Sequence, residues 1–128
     1  MKAQKPLRLG IAGLGTVGSG LLSLLHEHGE AIAERCNRPV IVAGVSARSR
    51  AKQRDVRAEG LTWFGDPAVL AADPAIDVFI ELIGGDSGPA LNGVEAALSA
   101  GKHVVTANKA LLASHGYRLA ALAGGRPG

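Results

Sequence analysis

Glycines at positions 13, 15 and 18 of the run Gly13-Leu14-Gly15-Thr16-Val17-Gly18 lie between a short apolar segment and a long amphipathic one. This arrangement constrains the fold more than any other feature of the chain. Leu7-Arg8-Leu9-Gly10-Ile11-Ala12 has the length and apolar content of a buried strand. From Thr16 to about Cys36, Val17, Leu21, Leu24, Leu25 and Ile32 recur at spacings of three and four, with Glu27, Glu30 and Glu34 on the other side, as in an amphipathic helix. A strand that turns through glycines straight into a helix leaves the first helical amides without partners, at the positive end of the helix dipole. In such a turn Gly13 permits the tight bend, Gly15 admits a diphosphate close to the backbone, and Gly18 lets the helix pack near the strand. The spacing therefore predicts a dinucleotide-binding turn, with the free amides of Thr16 and Val17 aimed at a pyrophosphate. A glycine turn with no ligand is the plainer alternative. The preceding strand, the following helix and a second strand about 22 residues on weigh against it.

The rest of the chain repeats the alternation. Val40–Val45 is a β-branched run and reads as a second strand. Ser49 to about Glu59 is polar and helical in pattern, closed by Gly60, and Leu61–Phe64 is a short third strand. Asp66-Pro67 has the form of an N-cap followed by proline at the first helical position, opening a short helix that ends near Asp73-Pro74. Asp77–Ile83 is a fourth strand stopped by Gly84-Gly85, Ser87 to about Ala100 a helix ended by Gly101, and His103–Thr106 a fifth strand. Asn108 caps a last helix reaching about Leu122. Alternating units of this length imply an α/β fold of the Rossmann type: a doubly wound parallel sheet of about five strands with helices on both faces. Residues 1–123 are expected to form that nucleotide-binding domain and 124–128 an irregular tail. A ligand of such a sheet sits beyond the carboxyl ends of the strands, where strand order reverses. That rule gathers Gly13–Gly18, Gly84–Ser87 and Thr106–Lys109 at one mouth.

Composition narrows the alternatives. Aromatics are only 3%, so the core must be aliphatic, which suits a parallel sheet under close-packed helices. A single cysteine, Cys36, excludes an internal disulfide, and the four histidines form no metal-ligand spacing, so all four read as structural. The apolar stretch Leu7–Leu14 is broken by Gly10 and Gly13 and is far short of the ~18 residues of a membrane span. No membrane association and a soluble, cytoplasmic protein are expected. The basic residues between 48 and 57 lack interleaved aromatics, which argues against nucleic acid.

Those basic residues suggest a narrower use. A non-phosphorylated nicotinamide cofactor is usually met at the end of the second strand by an acid that accepts from the ribose 2′-hydroxyl. No acid lies between Cys36 and Gln53, and the strand instead runs into Ser46-Ala47-Arg48-Ser49-Arg50. A guanidinium can bind a 2′-phosphate through two parallel hydrogen bonds, so NADP is the expected cofactor, with NAD the alternative. Arg48 is the first candidate and Arg50 the second, while Arg54 and Arg57 read as a solvated helix face. Lys109, just past the fifth strand, could polarise a carbonyl, hold a carboxylate or contact the cofactor. As an ordinary first-turn lysine it would oppose the helix dipole. Glu81 sits inside an apolar strand and needs a partner, either as a residue of the cleft or as a paired structural acid.

Three segments together resemble homoserine dehydrogenase: Gly-Leu-Gly-Thr-Val-Gly-Ser-Gly at 13–20, Glu-Leu-Ile-Gly-Gly at 81–85, and Gly-Lys-His-Val-Val-Thr-Ala-Asn-Lys-Ala-Leu-Leu-Ala at 101–113. The resemblance spans about residues 6–123, and the third segment is its most specific part. It implies an oxidoreductase that interconverts L-aspartate 4-semialdehyde and L-homoserine with NAD(P)H, on the route to threonine, methionine and isoleucine. It also implies that Lys109 faces the nicotinamide and substrate as the catalytic residue present here, and that Gly84 and Gly85 line the cofactor cleft, to which the strand-end rule above adds Thr106. The family's substrate domain, with its further lysine, acidic pair and main subunit interface, would lie beyond Gly128. The small-molecule substrate is therefore expected to be held only with that domain, and the isolated chain to be inactive. The last helix and the sheet edge at the fifth strand, left uncovered, favour a homo-oligomer. Two other readings remain open on the same residues: a non-catalytic NAD(P)-sensing domain, and the cofactor domain of another amino-acid dehydrogenase.

Overall fold

The computed structural model describes residues 5–47 and 61–124. The helix expected over Ser49–Glu59, and with it Arg48 and Arg50, lies outside the described residues. Within them the elements are β1 (Leu7–Ala12), α1 (Thr16–Cys36), β2 (Val40–Ser46), β3 (Trp63–Phe64), α2 (Pro67–Ala72), β4 (Val78–Glu81), α3 (Pro89–Ser99), β5 (His103–Thr106) and α4 (Lys109–Gly124). The strands form one sheet in the order β3-β2-β1-β4-β5, and every pairing is parallel. From β1 the chain winds outward through β2 to β3, then returns to place β4 on the other side of β1. Strand order thus reverses between β1 and β4, as the doubly wound Rossmann architecture requires.

The period-two pattern of the strands assigns their two faces. Leu9 and Ile11 of β1, Val45 of β2, and Val78 and Ile80 of β4 are buried on the face covered by α1, where Leu14, Leu21, Leu22 and Leu25 meet them. Ala12, Phe79 and Val104 point to the opposite face, which is closed by Leu70 and Ala71 of α2, Val94 and Ala97 of α3, and Leu111 and Leu119 of α4. Glycine brings that second layer close. A Cβ at Gly93 would stand 2.7 Å from Phe79 Cζ, so α3 rests on the phenylalanine ring at a distance no other residue allows. At the amino ends of the strands, Arg8 clamps β1 to β4. Its Nε and Nη2 donate to the two carboxylate oxygens of Asp77 at 3.0 and 2.9 Å, and its backbone amide adds a third bond at 2.9 Å. This fork holds the Asp77 carboxyl at about 2, below its ordinary value of 3.8, chiefly through the guanidinium hydrogen bonds.

Several expected boundaries shift. β4 ends at Glu81 rather than Ile83, because the backbone begins to turn there toward Gly84 and Gly85 at φ +90° and +83°. β3 keeps only Trp63 and Phe64 of the expected Leu61–Phe64, although Val45 N still donates to Thr62 O at 2.9 Å. α4 runs to Gly124, two residues beyond Leu122. In α1 the inner stripe is Leu21, Leu22 and Leu25, whereas Val17 and Leu24, expected on that stripe, face outward with Val17 67% exposed. The helix also departs from helical dihedrals at His28, beside Gly29, and resumes on a new axis. β5 is the sheet edge and carries Val105 56% exposed on the α1 side. No helix among the described residues is long and apolar enough to cross a membrane.

Candidate dinucleotide site

The glycine turn leaves β1 at the point of strand reversal and is held from both sides. Gly13 N donates to Ser46 O of β2 at 2.8 Å, and Leu82 N, just past β4, donates to Ala12 O at 2.8 Å. Gly13 adopts φ +102°, and a Cβ there would lie 2.6 Å from Leu82 O. Gly18 lies against the turn it follows, where a Cβ would meet Gly13 O at 2.0 Å. The protein itself therefore demands glycine at 13 and 18.

Gly15 differs. Its φ of −76° suits any residue, and a Cβ on it would meet no atom within 4 Å. Neither dihedral nor packing explains a glycine there, whereas the close approach of a bulky anion does. Gly15 is also the N-cap of α1, and no side chain caps the helix. Among the described residues, the amides of Thr16, Val17 and Gly18 donate to no protein acceptor, while Ser19 N returns to Gly15 O at 2.9 Å. Three donors at the head of a 21-residue helix thus converge above a position without a side chain. A diphosphate fits that donor set.

The two neighbouring strand ends complete the mouth. Glu81 and Thr106 are the last residues of β4 and β5 and stand opposite one another in register. Thr106 donates its hydroxyl to Glu81 Oε1 at 2.5 Å and accepts from Asn108 N at 3.0 Å. Glu81 Oε2 receives the amides of Ile83 and Gly84, each at 2.8 Å. Of the two roles open to Glu81, the structure shows the paired one: the residue is 1% exposed and offers no surface to a ligand. Asn108 Oδ1 caps α4 through Leu111 N at 3.0 Å, and its Nδ2 donates to Gly85 O at 2.6 Å. Further along α4, Ser114 and His115 hold Asp86 through its carboxylate and carbonyl. Lys109, the first residue of α4, is exposed beside this corner.

The structure thus brings Gly13, Gly15, Thr16, Val17, Gly18, Gly84, Gly85, Thr106 and Lys109 to the carboxyl edge of one sheet. The Thr106 hydroxyl is already engaged by protein on both sides, so any part it plays toward a ligand passes through its backbone or through the residues it holds. The bridge from Asn108 to Gly85 and the grip of Ser114 and His115 on Asp86 went unread in the sequence. Their only signal there is polar side chains on the first two turns of a helix that follows a strand end.

Residues 13–125 match the family described as homoserine dehydrogenase, NAD binding domain. The chain is 45% identical over 119 residues to the homoserine dehydrogenase of Pseudomonas aeruginosa, covering 93% of this chain and 27% of that protein. It is 42% identical over 109 residues to that of Methylobacillus glycogenes, covering 85% of this chain and 26% of the relative. The crystal structure of a homoserine dehydrogenase from Thiobacillus denitrificans superposes with a TM-score of 0.87 at 40% identity, over 98% of this chain and 28% of that one. The chain spans about a quarter of the length of these relatives. With the match running from the glycine turn through the last helix, the chain belongs to the homoserine dehydrogenase NAD-binding domain family.

Proposed function

We propose that this chain binds NADP as the cofactor domain of a homoserine dehydrogenase acting on the route from aspartate to threonine, methionine and isoleucine. The observation that carries the binding half of this reading is Gly15, a glycine required by no dihedral and no neighbour, set beneath three free helix-head amides. When bound, the reduced nicotinamide would supply a hydride to the aldehyde carbon of L-aspartate 4-semialdehyde, and a proton from water would complete the alcohol of L-homoserine. The amides of Thr16, Val17 and Gly18 hold the pyrophosphate. With the pyrophosphate there, the adenosine ribose would lie toward β2 and the nicotinamide toward β4 and β5, on the two sides of the strand reversal. Gly84 and Gly85 wall the nicotinamide side. Lys109 presents an ammonium that stabilises negative charge on the carbonyl oxygen as the hydride arrives. Arg48, with Arg50 second, reads the 2′-phosphate.

Isothermal titration of the chain with NADPH and with NADH tests the cofactor. NADPH should bind more tightly, and Arg48→Ala should weaken NADPH alone by about 10- to 100-fold, the range of one or two charge-assisted hydrogen bonds. Equal affinity for both nucleotides would remove the argument from the end of β2. The 128-residue chain, a quarter of its relatives' length, should bind without turning over. Homoserine-dependent NADP reduction near an ordinary ~10 s⁻¹ would overturn that expectation.

A further inference from the structure

Glu81 is the one ionisable side chain among the described residues that is buried in the core, and neither phosphate binding nor hydride transfer uses it directly. Its surroundings form a closed ring. The carboxylate gathers the amides of Ile83 and Gly84 on one oxygen and the Thr106 hydroxyl on the other. Thr106 holds Asn108 N, and Asn108 reaches back to Gly85 O. The ring joins the turn after β4 to the corner after β5, and Lys109 follows Asn108 directly. Each member fixes the next, because a buried carboxylate is tolerated only while its donors stay in place.

We propose that Glu81 is a positioning residue that sets the nicotinamide half of the cleft, holding the Gly84-Gly85 wall and Lys109 as one piece while leaving the pyrophosphate half to the glycine turn. The inference rests on the nucleotide reading given above. It separates Glu81 from a merely structural acid, because the ring touches only the β4 and β5 side of the mouth. The glycine turn has a tie of its own in the bond from Gly13 N to Ser46 O, and its bond to the β4 side, from Leu82 N to Ala12 O, does not pass through the carboxylate.

The test compares two ligands on the native chain, Glu81→Ala, Glu81→Gln, Thr106→Val and Thr106→Ser. NADPH spans the whole cleft, and 2′-phospho-ADP-ribose lacks the nicotinamide. Glutamine can still accept both amides and donate to Thr106, and serine keeps the bridging hydroxyl. Glu81→Ala and Thr106→Val should weaken NADPH about tenfold, as for one well-made hydrogen bond to the nicotinamide side, and leave 2′-phospho-ADP-ribose unchanged. Glu81→Gln and Thr106→Ser should recover NADPH binding. Should Glu81→Ala fail to fold, the Thr106 pair carries the test, since it removes one hydroxyl and leaves the carboxylate with its amides. Equal losses for both ligands, or no loss for NADPH in a folded variant, would overturn the positioning role. A native chain that binds neither ligand would instead overturn the nucleotide reading, and this inference with it.

Discussion

Replacing Gly15 by alanine, and separately Gly18 by alanine, splits the two reasons for glycine within one turn. At Gly15 the added methyl meets nothing within 4 Å and φ is −76°, so the fold loses only the preference for glycine over alanine at an N-cap. That amounts to at most about 1 kcal/mol, or roughly 3–5 °C in Tm for a domain of this size. The same methyl stands where the diphosphate must approach the amides of Thr16 and Val17. Losing one or two of those bonds, at about 1.5–3 kcal/mol each for a charged acceptor, should weaken NADPH at least about tenfold. At Gly18 the methyl would lie 2.0 Å from Gly13 O, a full ångström inside any distance that real Cβ atoms show. The head of α1 must then move off the turn, at a cost of about 1–3 kcal/mol or more and about 3–15 °C in Tm. Thermal melts and NADPH titrations of both variants read the two effects apart. A Gly15→Ala chain that melts normally and binds NADPH like the native chain would refute the claim that this glycine exists for a ligand.

Other outcomes follow from the same geometry. Asn108→Ala removes the cap of α4 and the tie to Gly85, and should lower stability by about 1–2 kcal/mol in urea melts. Gly93→Ala drives a methyl to 2.7 Å from the Phe79 ring and should destabilise by about 1–3 kcal/mol without touching nucleotide affinity measured in the folded state. The Asp77 carboxyl, held at about 2 against an ordinary 3.8, binds its proton more readily in the unfolded chain, so its contribution is complete above pH 4 and is lost as pH falls toward 2. Its side chain is 31% exposed, and solvent screening reduces that contribution to about 1 kcal/mol. Urea midpoints between pH 4.5 and 2 should show this loss in the native chain and not in Asp77→Asn.

The elements whose signal is hydrophobic period or capping chemistry were legible in the sequence. β1, α1 and β5 have the limits expected from their residues, and Asp66 caps α2 by accepting from Ala68 N at 2.9 Å, as Asp66-Pro67 implied. α1 shows where such reading stops. A leucine-rich helix offers more than one apolar stripe at spacings of three and four, and the sheet takes Leu22 while leaving Val17 and Leu24 outside. The candidate site was legible as three segments at one mouth, because topology alone puts strand ends together. The identity of Glu81's partners was not. It depends on β4 and β5 pairing so that Glu81 meets Thr106, and a slip of one residue would have pointed the two side chains to opposite faces.

The placement of the polar groups shows how a mostly aliphatic sheet holds a precise mouth. Only Ser46 and Glu81 are polar and buried among the described residues, and they end β2 and β4, the two strands that flank β1. Each strand end steadies a different turn, β2 through the backbone carbonyl of Ser46, which takes the amide of Gly13, and β4 through the Glu81 carboxylate, which takes those of Ile83 and Gly84. Aliphatic packing is non-directional and tolerates small slides of one layer over another. Hydrogen bonds at the strand ends do not, because a buried donor or acceptor that loses its partner costs about 1–3 kcal/mol. The layers of Leu, Val and Ile therefore set the height of the helices over the sheet, and the hydrogen bonds at the ends of β2 and β4 set where the two glycine turns stand relative to β1. Apolar replacement of Glu81 should consequently leave secondary structure in place while loosening the Gly84-Gly85 turn, visible as faster amide hydrogen exchange at Ile83 and Gly84 with α1 and β1 unchanged.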